Sequence, residues 1–162
     1  MRGALVRSAL FLFVGPGIAL VLLPAVVLSW SGGPRDGGAF RYVGLLTLAI
    51  GGAVLLWCFA GFAVDGRGTP APYDPPRQLV TGRLYARVRN PMYAAVTTML
   101  VGEAVLFWSG PLLGLAGIMW LAFHAIVIAY EEPTLRARFG PSYDAYRASV
   151  PRWIPRRLVR QY

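Results

Sequence analysis

Lysine is absent from this sequence, so all sixteen of its basic side chains are arginine. That absence excludes a catalytic lysine or a Schiff base. Cys58 is the sole cysteine, which rules out an internal disulfide and a multi-cysteine metal centre. His124 is the sole histidine, and zinc or paired-histidine haem sites need several ligands at fixed spacings. No metal is expected. Acidic residues are also few, seven in 162, leaving a formal net charge of +9. The arginines are spread through loops and tails and do not line one soluble face, so nucleic acid is not the expected partner.

Apolar residues are abundant, at 56% of the chain. They gather into four runs, 8–28, 43–64, 92–108 and 112–130, each approaching the ~20 residues that cross ~30 Å of hydrocarbon as a helix. Lipid offers no partner for backbone N–H and C=O groups, so the spans must be helical. The expected fold is therefore all-α: a polytopic membrane protein with four transmembrane helices, short interfacial helices and a C-terminal cytosolic cap over 131–162. The whole of 1–162 reads as one domain. Arginine near span ends tends to stay cytoplasmic. Arg2 and Arg7, the arginine-rich loop between spans two and three, and the tail from Arg136 to Arg160 all fall on one side. Both termini are expected in the cytoplasm, with the protein in the plasma membrane of a prokaryote.

Gly15-Pro16-Gly17 and Pro24 should kink the first span. Gly51, Gly52, Gly110, Gly114 and Gly117 are expected to permit close helix contact. Trp30, Tyr42, Trp108 and Tyr130 stand at span ends, where amphipathic rings meet headgroups. The proline-rich and glycine-rich run from Asp65 to Pro76 reads as a stiff strap. Gly66-Arg67-Gly68 within it is a turn, since no βαβ pattern surrounds it. Residues 78–88 have the spacing of a short interfacial helix. Beyond Pro133, Leu135, Phe139, Tyr143, Tyr146 and Val150 recur every three or four residues, as an amphipathic stretch on the membrane surface would, divided at Gly140-Pro141. The segment from Val150 to Pro155 can fold back as an extended closure.

Two polar cassettes bracket the last hairpin: Arg89-Asn90-Pro91-Met92-Tyr93 before span three, and Glu131-Glu132-Pro133 after span four. A short turn near Gly110 and Pro111 brings both to one membrane face. Pro91 suits the first position of a helix, which holds Arg89 and Asn90 beside free N–H groups and the positive end of the dipole. Glu131 and Glu132 face a negative dipole end, so they need cations, either Arg136 and Arg138 or a ligand. His124, seven residues before Glu131, should lie two turns deeper on nearly the same face. Glu103 falls about 18 Å along span three from Pro91, where an acidic group must face the bundle interior. Glu103 and His124 are the candidate proton-transfer residues. A non-enzymatic four-helix transporter or structural protein using Glu103 is the competing interpretation.

The order Arg89-Asn90-Pro91-Met92-Tyr93, Glu131-Glu132-Pro133-x-Leu135, Phe139-Gly140, Tyr143-x-x-Tyr146 and Val150-Pro151 resembles the integral-membrane methyltransferases that include isoprenylcysteine carboxyl methyltransferase and phospholipid N-methyltransferases. The resemblance implies a cytosol-facing S-adenosylmethionine pocket between the last two spans, closed by the tail. It carries cofactor contacts onto Arg89, Asn90, Pro91, Met92, Tyr93, Glu131 and Glu132. It also implies a lipid-like or small apolar acceptor, methylated at a carboxyl, amine or thiol. Asn90 stands where prenylcysteine enzymes usually carry histidine, and Ala94-Ala95 where eukaryotic phospholipid members carry a glycine pair. The acceptor cannot be copied from either branch, and oligomeric state is not legible.

Overall fold

A computed structural model of the chain describes residues 15–64 and 78–155. The start of the first span, the strap and the last arginines of the tail lie outside the described residues. Among the described residues all regular structure is helical. Helix α1 is Gly15–Trp30, α2 is Phe40–Val64, α3 is Pro91–Leu106, α4 is Gly110–Phe139 and α5 is Pro141–Ser149.

Two of these helices, α2 over Phe40–Gly61 and α4, are long and apolar enough to cross a membrane. Their most apolar stretches are only 22% and 17% buried inside the protein, whereas the core helix of a water-soluble protein is mostly covered. Leu46, Leu56, Trp57, Ile118 and Leu121 all point outward. Helix α3 is shorter than four equal spans would require. Helix α3 has 16 residues, about 24 Å, and it ends at Leu106 rather than at Trp108. Trp108 instead enters the tight turn with a left-handed φ of 45° and packs on Phe40 at 5.3 Å. The Ser109 hydroxyl then accepts from Leu112 N–H and starts α4.

Prolines shape two helices in the same way. A wide π-turn, Ile18–Leu22, precedes Leu23-Pro24, and another, Val127–Glu131, precedes Glu132-Pro133. In each, the residue before proline donates five residues back, Leu23 to Ile18 and Glu132 to Val127. The wider turn relieves the clash of the proline ring with the carbonyl four residues earlier, so the chain continues as helix. The fourth span therefore does not stop at Tyr130, and the carboxylates lie within α4 rather than at its negative end.

Helices α2 and α3 form the tightest pair. A Cβ on Gly44 would sit 2.6 Å from the Leu106 nitrogen, and one on Gly102 would sit 2.9 Å from the Leu48 nitrogen. Gly51 meets Met99 equally closely. Gly52, Gly110, Gly114 and Gly117 have no such neighbour, so only one of the glycines expected at contacts makes one. Leu55, Ala95, Val96, Leu100 and Ala116 fill the core between helices.

Residues 78–88 form no amphipathic helix beyond the single 3-10 turn Arg83–Ala86. Val80 and Tyr85 are buried with Cys58 of α2. The tail also differs from a surface-bound stretch. Tyr143, Tyr146 and Val150 are buried with Leu79, Leu135 and Phe139 as the core of a small cap. Gly140 divides the two helices as expected, at φ 52°, a conformation that glycine adopts without Cβ strain.

Candidate functional site

The two cassettes interlock. Asn90 is the N-cap residue of α3 and Pro91 its first position, where the missing N–H would have had no helical partner. The tail pairs with this helix mouth: Arg89 N–H donates to the Pro151 carbonyl at 2.9 Å, and Asn90 Nδ2 donates to the Arg152 carbonyl at 3.3 Å. The extended closure expected from the sequence is present.

Glu132 is the electrostatic centre. Arg89 Nη1 donates to Glu132 Oε1 at 3.0 Å, and Arg152 grips both carboxylate oxygens, Nε to Oε1 at 2.7 Å and Nη2 to Oε2 at 3.0 Å. This two-pronged geometry is the strongest available to a carboxylate. The Glu132 hydrogen bond in turn holds the Arg152 guanidinium above its ordinary value. Arg136 and Arg138 do not provide the compensation expected of them. Arg136 pairs with Asp144 at 3.1 Å, and Arg138 lies over the Phe139 ring. Tyr143 accepts a second hydrogen bond from Arg89 Nη1 at 3.1 Å. The Tyr146 hydroxyl donates to the Tyr85 carbonyl, and burial pushes its phenol well above the ordinary value. Arg89 Nε is buried without a partner among the described residues.

Glu131 points elsewhere. Its Oε1 accepts the hydroxyl of Tyr93, whose ring stacks on Phe123 with centroids 4.7 Å apart. The π-turn adds one residue between His124 and Glu131 and so rotates Glu131 by about 100° relative to an uninterrupted helix, away from the His124 face; Phe123 packs on its partner Tyr93. His124 instead stacks on Trp120, and its Nδ1 accepts from Trp153 Nε1 at 3.0 Å. It thus anchors the closing tail.

Glu103 is not brought to this cluster. It lies one turn from the end of α3, beside the hairpin turn, about 18 Å from Pro91. Its carboxyl is buried, and Oε2 has no partner among the described residues. No group of three or more metal-ligating side chains occurs among the described residues.

Beside Tyr93 opens a cavity of about 160 Å³. Ile18, Ala19 and Leu23 of α1, Val96 of α3, and Met119 and Phe123 of α4 form most of its wall. The first π-turn thus lines the cavity, while the second carries Glu131. Sequence inspection did not single out Arg152, Trp153 or Phe123 as site residues. The signal for Arg152 was the pair of carboxylates, which required a cation that the closing tail supplies.

The chain is thus an apolar helical bundle whose hairpin cassettes meet under a folded-back tail. Residues 40–142 match the phospholipid methyltransferase family, and the chain belongs to it. Over 77 residues it is 35% identical to protein-S-isoprenylcysteine O-methyltransferase of Schizosaccharomyces pombe, covering 48% of this chain and 33% of that one. It is 29% identical over 85 residues to methanethiol S-methyltransferase 2 of Bradyrhizobium diazoefficiens, covering 50% and 30%. Methanethiol S-methyltransferase of Crocosphaera subtropica is 31% identical over 84 residues, covering 49% and 30%. The chain spans about a third of the length of these curated relatives.

Proposed function

We propose that residues 1–162 form a single integral-membrane domain that transfers a methyl group from S-adenosylmethionine to a lipid-like or small apolar acceptor. The observation that carries this reading is the interlock of the two cassettes, with Arg89 joined to Glu132 and Tyr93 to Glu131. The residues suit the donor chemically. The unused, buried Nε of Arg89 is a cationic donor for a carboxylate, and Glu131 retains a second oxygen for a ribose hydroxyl or an ammonium. Asn90, Pro91, Met92 and Tyr93 complete the helix mouth around them. When bound, the donor supplies an electrophilic methyl on a sulfonium sulfur.

Glu132 serves this site indirectly. Held by two arginines, it fixes α3, α4 and the tail relative to one another. Trp153 on His124 extends the same closure. Alignment of donor, methyl and acceptor then provides much of the rate, because holding reactants in place is worth several kcal/mol. The acceptor enters between helices from the bilayer and the donor from the arginine-rich side, which the charge bias assigns to the cytoplasm. The membrane is the plasma membrane in this reading, with both termini inside.

The experiment is transfer of isotopically labelled methyl from S-adenosylmethionine by purified full-length protein in nanodiscs. Acceptors should include a prenylated cysteine, phosphatidylethanolamine and short thiols. Label in one of them, lost in Glu131→Gln, supports the reading. No label in any, from folded protein, overturns it.

A further inference from the structure

Between α4 and α5 the cap leaves a groove of about 460 Å³. Ile128, Pro133 and Ala137 give it apolar walls, and buried Glu132 and exposed Arg136 and Arg147 complete the lining. At about 100° per residue, Leu121, Ala125 and Ile128 share one face of α4, opposite the Met119 and Phe123 that wall the cavity beside Tyr93. Groove and cavity therefore lie on opposite sides of this helix.

Electrostatics fix the sign of an occupant. Both Glu132 oxygens are already taken, by Arg89 and Arg152. Arg136 meets Asp144 through Nε, so its two terminal amino groups have no partner among the described residues. The exposed guanidinium of Arg147 makes neither a hydrogen bond nor an ion pair there, although it lies near enough to act on Glu132 electrostatically. Four guanidinium groups thus meet two carboxylates, Glu132 and Asp144, and positive charge is left over. Guanidinium N–H groups form a planar fork that matches phosphate oxygens. Position fixes the other end of the occupant. Leu121, Ala125 and Ile128 are all exposed, so an apolar strip runs along the outward face of α4 into the groove, and exposed Tyr130 marks the headgroup level beside it. A soluble anion would use the arginines and leave the strip bare. A zwitterionic lipid would bring its own ammonium against them.

We propose that the groove between α4 and α5 binds one anionic phospholipid, with its phosphate held by Arg136 and Arg147 and an acyl chain lying along Ile128, Ala125 and Leu121. The phosphate joins α4 to α5 and adds to the clasp that Glu132 makes with Arg89 and Arg152. The cap is thereby firmer in a bilayer that carries anionic lipid. This lipid is not the methyl acceptor, because it lies on the opposite face of α4 from Tyr93.

The test titrates the full-length protein in detergent with phosphatidylglycerol, phosphatidylcholine of the same acyl chains, or glycerol phosphate, and counts bound molecules by native mass spectrometry. One phosphatidylglycerol is expected to bind at least about tenfold more tightly than either of the others. Arg136→Gln and Arg147→Gln should each weaken it about fivefold, the worth of one cation beside an anionic headgroup. Arg138→Gln removes a guanidinium that lies over Phe139 outside the groove, and should change binding by less than about twofold. Saturating phosphatidylglycerol should raise the unfolding midpoint of the wild-type protein and leave that of the Arg136→Gln, Arg147→Gln double variant unchanged. Phosphatidylcholine bound as tightly, or no phosphatidylglycerol retained, overturns the inference. So does glycerol phosphate bound as tightly, which marks a site for soluble phosphate, and so does equal weakening by all three single variants, which marks diffuse surface attraction. The titration needs neither methyl donor nor acceptor, so its failure leaves the proposed function standing.

Discussion

Tyr93 and Glu131, 38 residues apart, join the start of α3 to the π-turn of α4 by a single hydrogen bond. One carboxylate position along the chain, Glu132 does something different, anchoring two arginines. The adjacent acids thus divide the work: Glu131 faces the cavity side through Tyr93, and Glu132 holds the cap.

Removing Glu132 should therefore unfold the cap before it affects chemistry. The side chains of Glu132 and Arg89 are only 10% and 8% exposed, and losing one member of a buried ion pair costs about 3 kcal/mol or more. Glu132→Ala is expected to lower the midpoint of thermal unfolding and to speed proteolysis of the tail. Arg136→Ala, which breaks an exposed pair with Asp144, should cost about 1 kcal/mol or less. Thermal unfolding in detergent, read by circular dichroism, compares the two.

The α2–α3 contact gives a sharper stability test. Gly102→Ala places a methyl against the Leu48 backbone, and Gly44→Ala places one against Leu106, where neither neighbour can rotate away. Each should cost about 1–3 kcal/mol through overpacking. Gly52→Ala and Gly117→Ala, which meet nothing within 4 Å, should leave the unfolding midpoint unchanged or slightly raised.

Trp153→Phe retains a ring against His124 but loses the indole N–H that His124 Nδ1 accepts. A hydrogen bond of this kind is worth about 1 kcal/mol, so S-adenosylmethionine affinity should fall about five- to tenfold. Trp153→Ala should lose more. A tail released this way is expected to be cut by added protease near Pro151 at a higher rate.

Glu103→Gln should leave S-adenosylmethionine affinity and methyl transfer within about twofold of wild type, since about 18 Å of helix separates it from the cassette. A loss of transfer comparable to that of Glu131→Gln would return Glu103 to the catalytic role its sequence position suggested.

Much of this was legible from residue order. The four apolar helices, the closing tail and the meeting of Arg89 and Tyr93 with the two glutamates follow from hydropathy, turn chemistry and cassette spacing. Register was not, because a seven-residue spacing places His124 under Glu131 only in an uninterrupted α-helix. A π-turn precedes Pro133, and Phe123 packs on Tyr93, the residue that Glu131 accepts from. Pro24 marks the same event in α1, so a proline inside an apolar run is the local signal. The glycines failed for another reason. Contact depends on which helix faces which, and Gly44 and Gly102 look no different in sequence from Gly52 and Gly117. The cap residues Tyr143, Tyr146 and Val150 have the periodicity of a membrane-surface helix, but Leu79 of the preceding loop covers them instead.

The central claim is that the interlocked cassettes hold S-adenosylmethionine, and isothermal calorimetry on full-length protein in detergent measures this directly. Saturable one-to-one binding is predicted, weakened at least about tenfold in Glu131→Gln and retained in Glu103→Gln. Absence of binding by wild-type protein with an intact unfolding transition would contradict it.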